Sequence, residues 1–206
     1  AFGKDASFNL DYFITDFENQ VVVDLEDVDK VQFYNLKGRS YSNSLQMDFS
    51  FSPAERLDVK LAYKYYDVKT TYLSAGQNGS GKLLDKPFVP KDRALLNIDY
   101  ATNHEKWKFN FTTKWFGQSR LPNTSSNASE FQLTEKSPAY FTFMAQITKR
   151  YRQFEFYLGG ENLLDYRIEN PIIDPAKPYG TNFDATMIWG PVNGRVIYGG
   201  FRYKII

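Results

Sequence analysis

Apolar and polar residues alternate with a period of two in segment after segment of this chain. Successive side chains of a β-strand point to opposite faces, so each such segment predicts a strand with one apolar and one polar face. In residues 57–65 every second residue from Leu57 to Tyr65 is apolar, and three of the four between them are charged. Eight such strands are predicted, near residues 5–17, 38–51, 57–70, 92–101, 106–116, 139–149, 154–163 and 194–205.

The predicted connections between these strands alternate between short and long. Short connections lie near residues 52–56, 102–105 and 150–153, and long ones cover roughly 18–37, 71–91, 117–138 and 164–193. Antiparallel neighbours would therefore place every long connection at the same end of the sheet. Outer-membrane β-barrels have this arrangement, with tight periplasmic turns and long extracellular loops. The predicted strands also fit the roughly 9–11 tilted residues that cross a bilayer.

Charged residues occupy the polar face of several predicted strands. Asp58, Lys60 and Lys64 share one face of a single strand, and Lys108 and Lys114 share one face of another. An unpaired charge is strongly disfavoured in a protein core, so this face fits a polar lumen behind a lipid-facing wall. The sequence therefore predicts an all-β, antiparallel transmembrane barrel, with a soluble β-protein as the alternative.

Aromatic residues make up 17% of the chain, although the mean hydropathy is polar at -0.50. Several are predicted near strand ends, where amphipathic rings sit at the two membrane interfaces: Tyr12, Tyr41, Tyr65, Tyr66, Tyr100, Trp107, Trp115 and Tyr203. No apolar run approaches the roughly 20 residues of a membrane-spanning helix. The chain has no secretion leader at Ala1, which predicts a mature chain or a fragment.

Net charge and cysteine usage exclude several classes of function. The formal net charge is +1, so the chain offers no basic surface for nucleic acid. The absence of cysteine excludes disulfide scaffolds, thiolate zinc sites and cysteine nucleophiles.

Residues 76–82 have the glycine and lysine spacing of a phosphate-binding P-loop, G-x-x-x-x-G-K. Leu83 stands where that motif needs Ser or Thr, and Pro87 and Pro90 disfavour the helix that should follow. A flexible loop tip is therefore the prediction, and the alternative is a soluble enzyme or binding protein in which residues 76–82 bind phosphate.

The other candidate motifs also favour ordinary loop roles. The acidic run Asp24, Glu26, Asp27 and Asp29 lacks the spacing of an EF-hand, which favours a solvated loop face over a calcium site. The single histidine, His104, lies in a predicted turn. The remaining candidates are the N-x-[ST] sites Asn78, Asn123 and Asn127 and the loop acids Asp165, Glu169, Asp174 and Asp184. We therefore predict no catalytic, cofactor-binding or metal-binding residue and no enzyme, and the sequence assigns no substrate-binding residue.

The last third of the chain is more specific. Residues 156–166, FYLGGENLLDY, resemble the penultimate strand of TonB-dependent receptors, where a G-x-E-N-L-x-D/N element opens the last extracellular loop. ENPII at 169–173, FDATM at 183–187, WGP at 189–191 and GRVIY at 194–198 together resemble receptors of Bacteroidetes-type bacteria. Residues 10–22, 33–38 and 118–124 also look like strands of this barrel, so the resemblance spans nearly the whole chain.

This resemblance implies a larger outer-membrane importer. Such receptors have an N-terminal plug domain inside a 22-stranded barrel, of which this chain would supply about the last eight strands. A scarce nutrient (siderophore, haem, cobalamin, metal complex, peptide or glycan) would enter using proton-motive force relayed through the TonB complex to the plug. The implied partners are the plug, the remaining strands, TonB and outer-membrane lipid, with a surface lipoprotein as a further candidate. The barrel-assembly machinery would read the last strand at Ile197, Phe201, Tyr203 and Ile205, although a terminal aromatic residue is commoner there.

One membrane alternative remains open. An incomplete sheet has two unpaired edges, which cannot stay bare in hydrocarbon. The eight strands therefore either complete a larger barrel with further chain or close on themselves. A self-contained eight-stranded barrel would have an interior filled by side chains and would suit an adhesin or structural role.

Overall fold

The computed structural model describes residues 5–28, 30–76 and 80–205. Within them the chain forms eleven strands: β1 (Ala6–Asp16), β2 (Val21–Asp24), β3 (Gln32–Asn35), β4 (Ser40–Ala54), β5 (Leu57–Tyr72), β6 (Lys82–Asp85), β7 (Asp92–Ala101), β8 (Trp107–Phe116), β9 (Tyr140–Tyr151), β10 (Phe154–Glu161) and β11 (Val196–Tyr203). Two short 3₁₀ turns cover Asn103–Glu105 and Ser129–Phe131. No helix in the described ranges is long and apolar enough to cross a bilayer.

One large antiparallel sheet dominates the structure. Its strand order is β1-β4-β5-β7-β8-β9-β10-β11, while β6 pairs with the far end of β5 and β2 pairs with β3 as a separate hairpin. The eight predicted strands are confirmed, with small shifts at their ends. Four long loops lie at one end of the sheet, and we number them in chain order: 17–39, 73–91, 117–139 and 162–195.

The pairing register joins the apolar sides of the strands into one continuous surface. Phe49 pairs with Phe8 on one side and with Leu61 on the other, and Leu61 pairs in turn with Leu96. The same face continues through β8, β9 and β10 to Phe201 and Tyr203 on β11. So large an exposed apolar surface is unfavourable in water, and it fits contact with lipid.

Aromatic residues border this apolar surface as predicted, with one exception. Tyr100, Trp107 and Tyr203 lie near the short turns, and Tyr100 stacks on Phe109 with ring centroids 6.2 Å apart. The prediction was wrong for Tyr66, which pairs with Ser44 on the polar side of the sheet. Because successive strand residues point to opposite faces, Tyr65 and Tyr66 cannot both face lipid.

Two of the three short turns are tighter than predicted from the sequence. The β4–β5 and β9–β10 turns have two residues each, and Arg56 and Arg152 in them take positive φ values of 61° and 54°. β4 extends through Pro53 to Ala54, with an irregular register between Phe51 and Ala54. Proline cannot donate a ladder hydrogen bond, so its position at such an irregularity is expected.

The loops contain three short strands that are not among the eight predicted from alternation. Val21, Val22 and Val23 are consecutive apolar residues, so β2 lacks the alternation on which the prediction relied. β6 pairs with residues 69–72, the part of β5 that continues beyond its pairing with β7. These additions turn the first two loops into structured parts of the surface.

The sheet does not close on itself. In the part of the chain that the structure describes, β1 pairs only with β4 and β11 pairs only with β10. The alternative of a self-contained eight-stranded barrel is therefore not supported. All residues of β1 are exposed, as expected for a strand that is paired on one side only.

Candidate functional site

The polar side of the sheet is the first candidate functional surface, and we call it the polar face. In its turn-side half, charged groups form pairs. Lys60 Nζ lies 4.0 Å from Asp48 Oδ1, and Arg202 Nη1 lies 2.8 Å from Glu155 Oε1. Asn110 Nδ2 donates to Asp99 Oδ1 at 2.7 Å. Most charges in this half therefore have partners within the sheet.

The loop-side half of the polar face has a different character. Lys64 pairs with Arg93 across β5 and β7, and Arg93 pairs with Phe116 across β7 and β8. Lys114 lies one position further along this face of β8. These residues and Gln46 line a concavity of about 240 Å³.

The second candidate surface is formed by the loops. The β2–β3 hairpin of the first loop packs on the start of the second loop through Asp24, whose side chain is buried. Tyr34 Oη donates to Asp24 Oδ2 at 2.6 Å, and the Ser74 amide donates to the same oxygen at 3.1 Å. The Leu73 amide donates to Tyr34 Oη at 2.8 Å. These contacts dock the hairpin on the second loop.

The electrostatics of this contact favour ionised Asp24 and neutral Tyr34. Burial acts to raise the pKa of Asp24, but hydrogen bonds from Tyr34 and from the Glu26 and Ser74 amides outweigh it and lower the pKa below 3.8. Burial, together with the hydrogen bond to Asp24, raises the pKa of Tyr34 well above 10.0.

A buried ion pair joins the first and third loops. Arg120 Nη2 lies 2.7 Å from Glu26 Oε1, with side chains 15% and 2% exposed. Arg120 Nε also donates to the Asp85 carbonyl oxygen in the second loop at 2.6 Å, and its guanidinium lies 5.5 Å from the centre of the Tyr72 ring. A cavity of about 520 Å³ opens beside this pair. Three loops are therefore linked through one arginine.

The acidic run was predicted to be a solvated loop face, and this is wrong for two of its residues. Asp24 and Glu26 are buried at 0% and 8% exposure. Asp27 forms an ion pair with Lys30 at 3.1 Å, and Asp29 lies outside the described residues. Each of the two carboxylates has a partner from another loop, Ser74 for Asp24 and Arg120 for Glu26. No local feature of the sequence indicated these contacts.

The fourth loop is fixed by the motif that suggested the family. Asn162 takes a φ of 48°, and its side-chain amide donates to the Tyr166 carbonyl at 2.7 Å. The Arg195 amide donates to Asp165 Oδ1 at 2.6 Å, and this contact, with the Arg167 side chain, lowers the pKa of Asp165. The Tyr166 ring stacks on Tyr140 at 4.9 Å. Asn162 Nδ2 also donates to the Asn193 carbonyl oxygen at 3.3 Å, so Asn162 and Asp165 hold the two ends of the loop together.

The remaining sequence candidates lie in separate places. Lys82 of the P-loop-like stretch begins a strand rather than a helix, and residues 77–79, including Asn78, lie outside the described residues. His104 lies in the 3₁₀ turn between β7 and β8. Asp184 accepts hydrogen bonds from its neighbour Thr186. Across residues 5–28, 30–76 and 80–205, no three histidine or acidic side chains are grouped to hold a metal ion.

The contacts of the two asparagines with N-x-[ST] spacing are also local. Asn123 Oδ1 accepts the Ser125 amide at 2.9 Å, and Asn127 Nδ2 lies 3.5 Å from the Phe131 carbonyl oxygen. Both stabilise the third loop. Sequence reasoning missed the neighbourhood of Arg93 and Arg120, because each gains its setting from strands or loops distant in the sequence.

Comparison with known proteins identifies the fold and a family. A model of the family described as "TonB dependent receptor-like, beta-barrel" matches residues 2–163. No curated protein sequence matches the chain significantly. Among solved structures, the closed form of the ferric-catecholate import receptor Fiu of E. coli K12 is similar, with a TM-score of 0.60 and 15% identity over 97% of this chain and 25% of that one.

Two further structures show the same similarity of fold. The copper transporter OprC matches with a TM-score of 0.67 and 11% identity over 96% of this chain and 29% of its own. A mutant of the ferric enterobactin receptor PfeA from Pseudomonas aeruginosa matches with a TM-score of 0.61 and 17% identity, over 94% and 28%. The chain thus spans 25–29% of the length of these three structures.

Proposed function

This chain belongs to the TonB-dependent receptor β-barrel family, and on that basis we propose that it forms part of the wall of an active outer-membrane importer. The family is one of outer-membrane transporters and receptors of Gram-negative bacteria. The proposed parent protein binds a scarce extracellular nutrient and admits it with energy relayed through TonB. It makes and breaks no bond in the nutrient, so it needs no catalytic residue.

The observation that carries this proposal is the division of one open sheet into an apolar and a polar face with all four long loops at one end. An apolar band suits lipid, a polar face suits a lumen, and long loops suit the cell exterior. Both free edges need neighbouring strands before the sheet can lie in hydrocarbon. We therefore propose that these are about the last eight strands of a 22-stranded barrel with an N-terminal plug.

The partners follow from this arrangement. The polar face would contact the plug, TonB would act through the plug, and the apolar face would contact outer-membrane lipid. The assembly machinery would read β11, where Ile197, Phe201 and Tyr203 share the apolar face as predicted. Ile205 lies just beyond the strand. A surface lipoprotein that covers the loops is a further proposed partner. A Bacteroidetes source is proposed from the motifs in residues 169–198.

The nutrient is proposed at the level of class. Similar structures carry names for ferric-catecholate import, ferric enterobactin reception and copper transport. These names support metal complexes as the first class to test, followed by haem, cobalamin, peptides and glycans.

The experiment compares four strains of the native host: with and without the full-length receptor, each with and without TonB. Cells grow under metal limitation in a complex medium, and mass spectrometry measures cellular metals and the solutes left in the medium. We expect at least one solute to be taken up only when receptor and TonB are both present. Equal uptake in all four strains would contradict the proposal.

A variant lacking the plug provides the control. It should still reach the outer membrane, but its uptake should no longer depend on TonB. Uptake that depends on the receptor and is indifferent to TonB would instead indicate a passive pore.

A further inference from the structure

We propose that Lys64, Arg93 and Lys114 form a binding site for an oxyanion, a carboxylate or phosphate group, on the loop-side half of the polar face. We call these three residues the cationic patch. The proposal rests on the proposed function only in taking the polar face to line a lumen. It assigns a chemical class of ligand to a surface for which the sequence predicted no binding residue.

The register of three strands brings the cationic patch together. Lys64 on β5 lies directly opposite Arg93 on β7. Lys114 on β8 lies opposite Leu95, the next residue after Arg93 on the same face of β7. All three side chains line the same concavity of about 240 Å³, together with Gln46, Ala62, Leu95 and Phe116. Three cations thus surround one recess.

Aromatic rings rather than carboxylates contact two of these cations, Arg93 and Lys64. The Arg93 guanidinium lies 5.3 Å from the centre of the Tyr66 ring and 5.9 Å from that of Phe116, and Lys64 Nζ lies 4.8 Å from Tyr66. Cation–π contact of this kind stabilises the charge through the ring face but accepts none of the in-plane guanidinium N–H bonds. Arg93 Nε is buried and has no hydrogen-bond partner.

The rest of the polar face shows that this lack of acids is local. Lys60, Lys108 and Arg202 each have a carboxylate within 4.0 Å. No ion pair of that length involves the cationic patch among the residues that the structure describes. The nearby carboxylate of Asp48 already accepts Gln46 Nε2 at 2.7 Å and faces Lys60.

The chemistry of the patch selects an oxyanion. A half-buried cation without an anionic partner is unfavourable, and an incoming anion lowers that cost. The guanidinium offers a planar fork that matches a carboxylate or phosphate, while two ammonium groups add point charges beside it. The anion could belong to a solute in the lumen or to an acidic side chain elsewhere in the parent protein, and the same three residues would bind either.

The test uses the full-length receptor purified in detergent, with citrate as the probe and calorimetry as the readout. We expect saturable citrate binding that K64Q/K114Q and, separately, R93Q weaken about tenfold or more, since each removes charge-assisted contacts. K60Q and K108Q are matched controls on the same face and should change the affinity less than about twofold. Circular dichroism verifies that every variant is folded; the lysine double variant keeps the test valid if R93Q does not fold.

A second measurement distinguishes the two sources of the anion. A carbodiimide joins a lysine amine to a carboxylate in contact with it, and mass spectrometry locates the joined peptides. A link from Lys64 or Lys114 to another part of the same polypeptide, without citrate binding, assigns the anion to the protein itself. Citrate binding without such a link assigns it to a solute.

If no link forms and citrate either does not bind or binds the variants as it binds the wild type, the site is overturned. Normal TonB-dependent uptake in that case would leave the proposed function intact. Conversely, uptake by the wild type that does not depend on TonB would contradict the proposed importer. Citrate binding that requires the cationic patch would still support the site in that case.

Discussion

Glu26 and Arg120, far apart in the sequence, meet in a buried ion pair with 2.7 Å between Oε1 and Nη2. The carboxylate comes from the first loop and the guanidinium from the third. The Asn123 amide also points at Glu26 Oε2, at 3.4 Å. Because Arg120 additionally binds the Asp85 carbonyl of the second loop, we infer that the first three loops form one docked unit above the sheet.

The first prediction concerns this ion pair. Glu26→Gln leaves the buried guanidinium without its charged partner, which should destabilise the docked loops by about 3 kcal/mol. Hydrogen exchange of residues 117–139 in the full-length protein measures the change. Lys30→Gln is the control, because Lys30 pairs with Asp27 at the surface, where side chains are 61% and 30% exposed, and such pairs contribute less than about 1 kcal/mol. Equal effects of the two substitutions would contradict the buried pair.

The second prediction concerns pH and the hairpin. The pKa of Asp24 is lowered on docking, so its contribution is present above 3.8 and is lost as the pH falls below that value. The pKa of Tyr34 is raised, so its contribution is present below 10.0 and is lost as the pH rises above it. The hairpin should therefore stay docked across the range between these values and loosen outside it.

Spin labels at the exposed residues Val23 and Lys86 would report docking as an interlabel distance. The distance should be constant from about pH 5 to pH 9 and should lengthen at both extremes. Asp24→Asn removes the titrating carboxylate and should abolish the acid transition. A distance that changes near neutral pH would mean that other groups control the docking.

The strands and their two faces could be predicted from the sequence because alternation is a local property. A one-residue shift would carry every side chain of a strand to the other face, so the apolar set of each strand fixed its orientation. For residues 57–65, the two faces could be assigned without knowing which strands lie beside them. Alternation did not predict strand β2 (Val21–Asp24), because its apolar residues are consecutive and the Asp24 side chain is buried against another loop.

The candidate sites could not be predicted in the same way, because they depend on which strands and loops are neighbours, and alternation does not predict this. Lys64 and Lys114 were assigned to the polar face from the sequence, but Arg93 joins them only through the registers of β5 with β7 and β7 with β8. Likewise, the sequence predicted a solvated Glu26, and only the folded structure shows that Arg120 pairs with it. Local pattern therefore gave the elements, and long-range contacts gave the sites.

The third prediction tests which face meets lipid. Leu96 lies on the apolar face between Leu61 and Thr113, whereas its neighbour Asn97 lies on the polar face opposite Lys60. Leu96→Arg should lower the free energy of unfolding by about 2–4 kcal/mol, as expected for arginine placed near the middle of the lipid-facing surface. Asn97→Arg should change it by less than about 1 kcal/mol.

Chemical unfolding of the full-length protein in lipid vesicles measures both values. The two positions are adjacent, so local strand propensity is nearly matched between them. If Asn97→Arg proved the more damaging substitution, the assignment of lipid and lumen faces would have to be reversed.

The fourth prediction concerns the two free edges, β1 and β11. Alternate backbone amides of β1 point away from β4 and have no partner among the described residues. If the chain is part of a larger barrel, a neighbouring strand pairs with them, because an unpaired amide in hydrocarbon is costly. In the full-length protein, amide exchange along residues 6–16 should therefore be as slow as along β4, which has neighbours on both sides. The chain expressed alone should exchange rapidly at β1 while β4 stays protected, and fast exchange at β1 in the full-length protein would rule out a barrel continued at this edge.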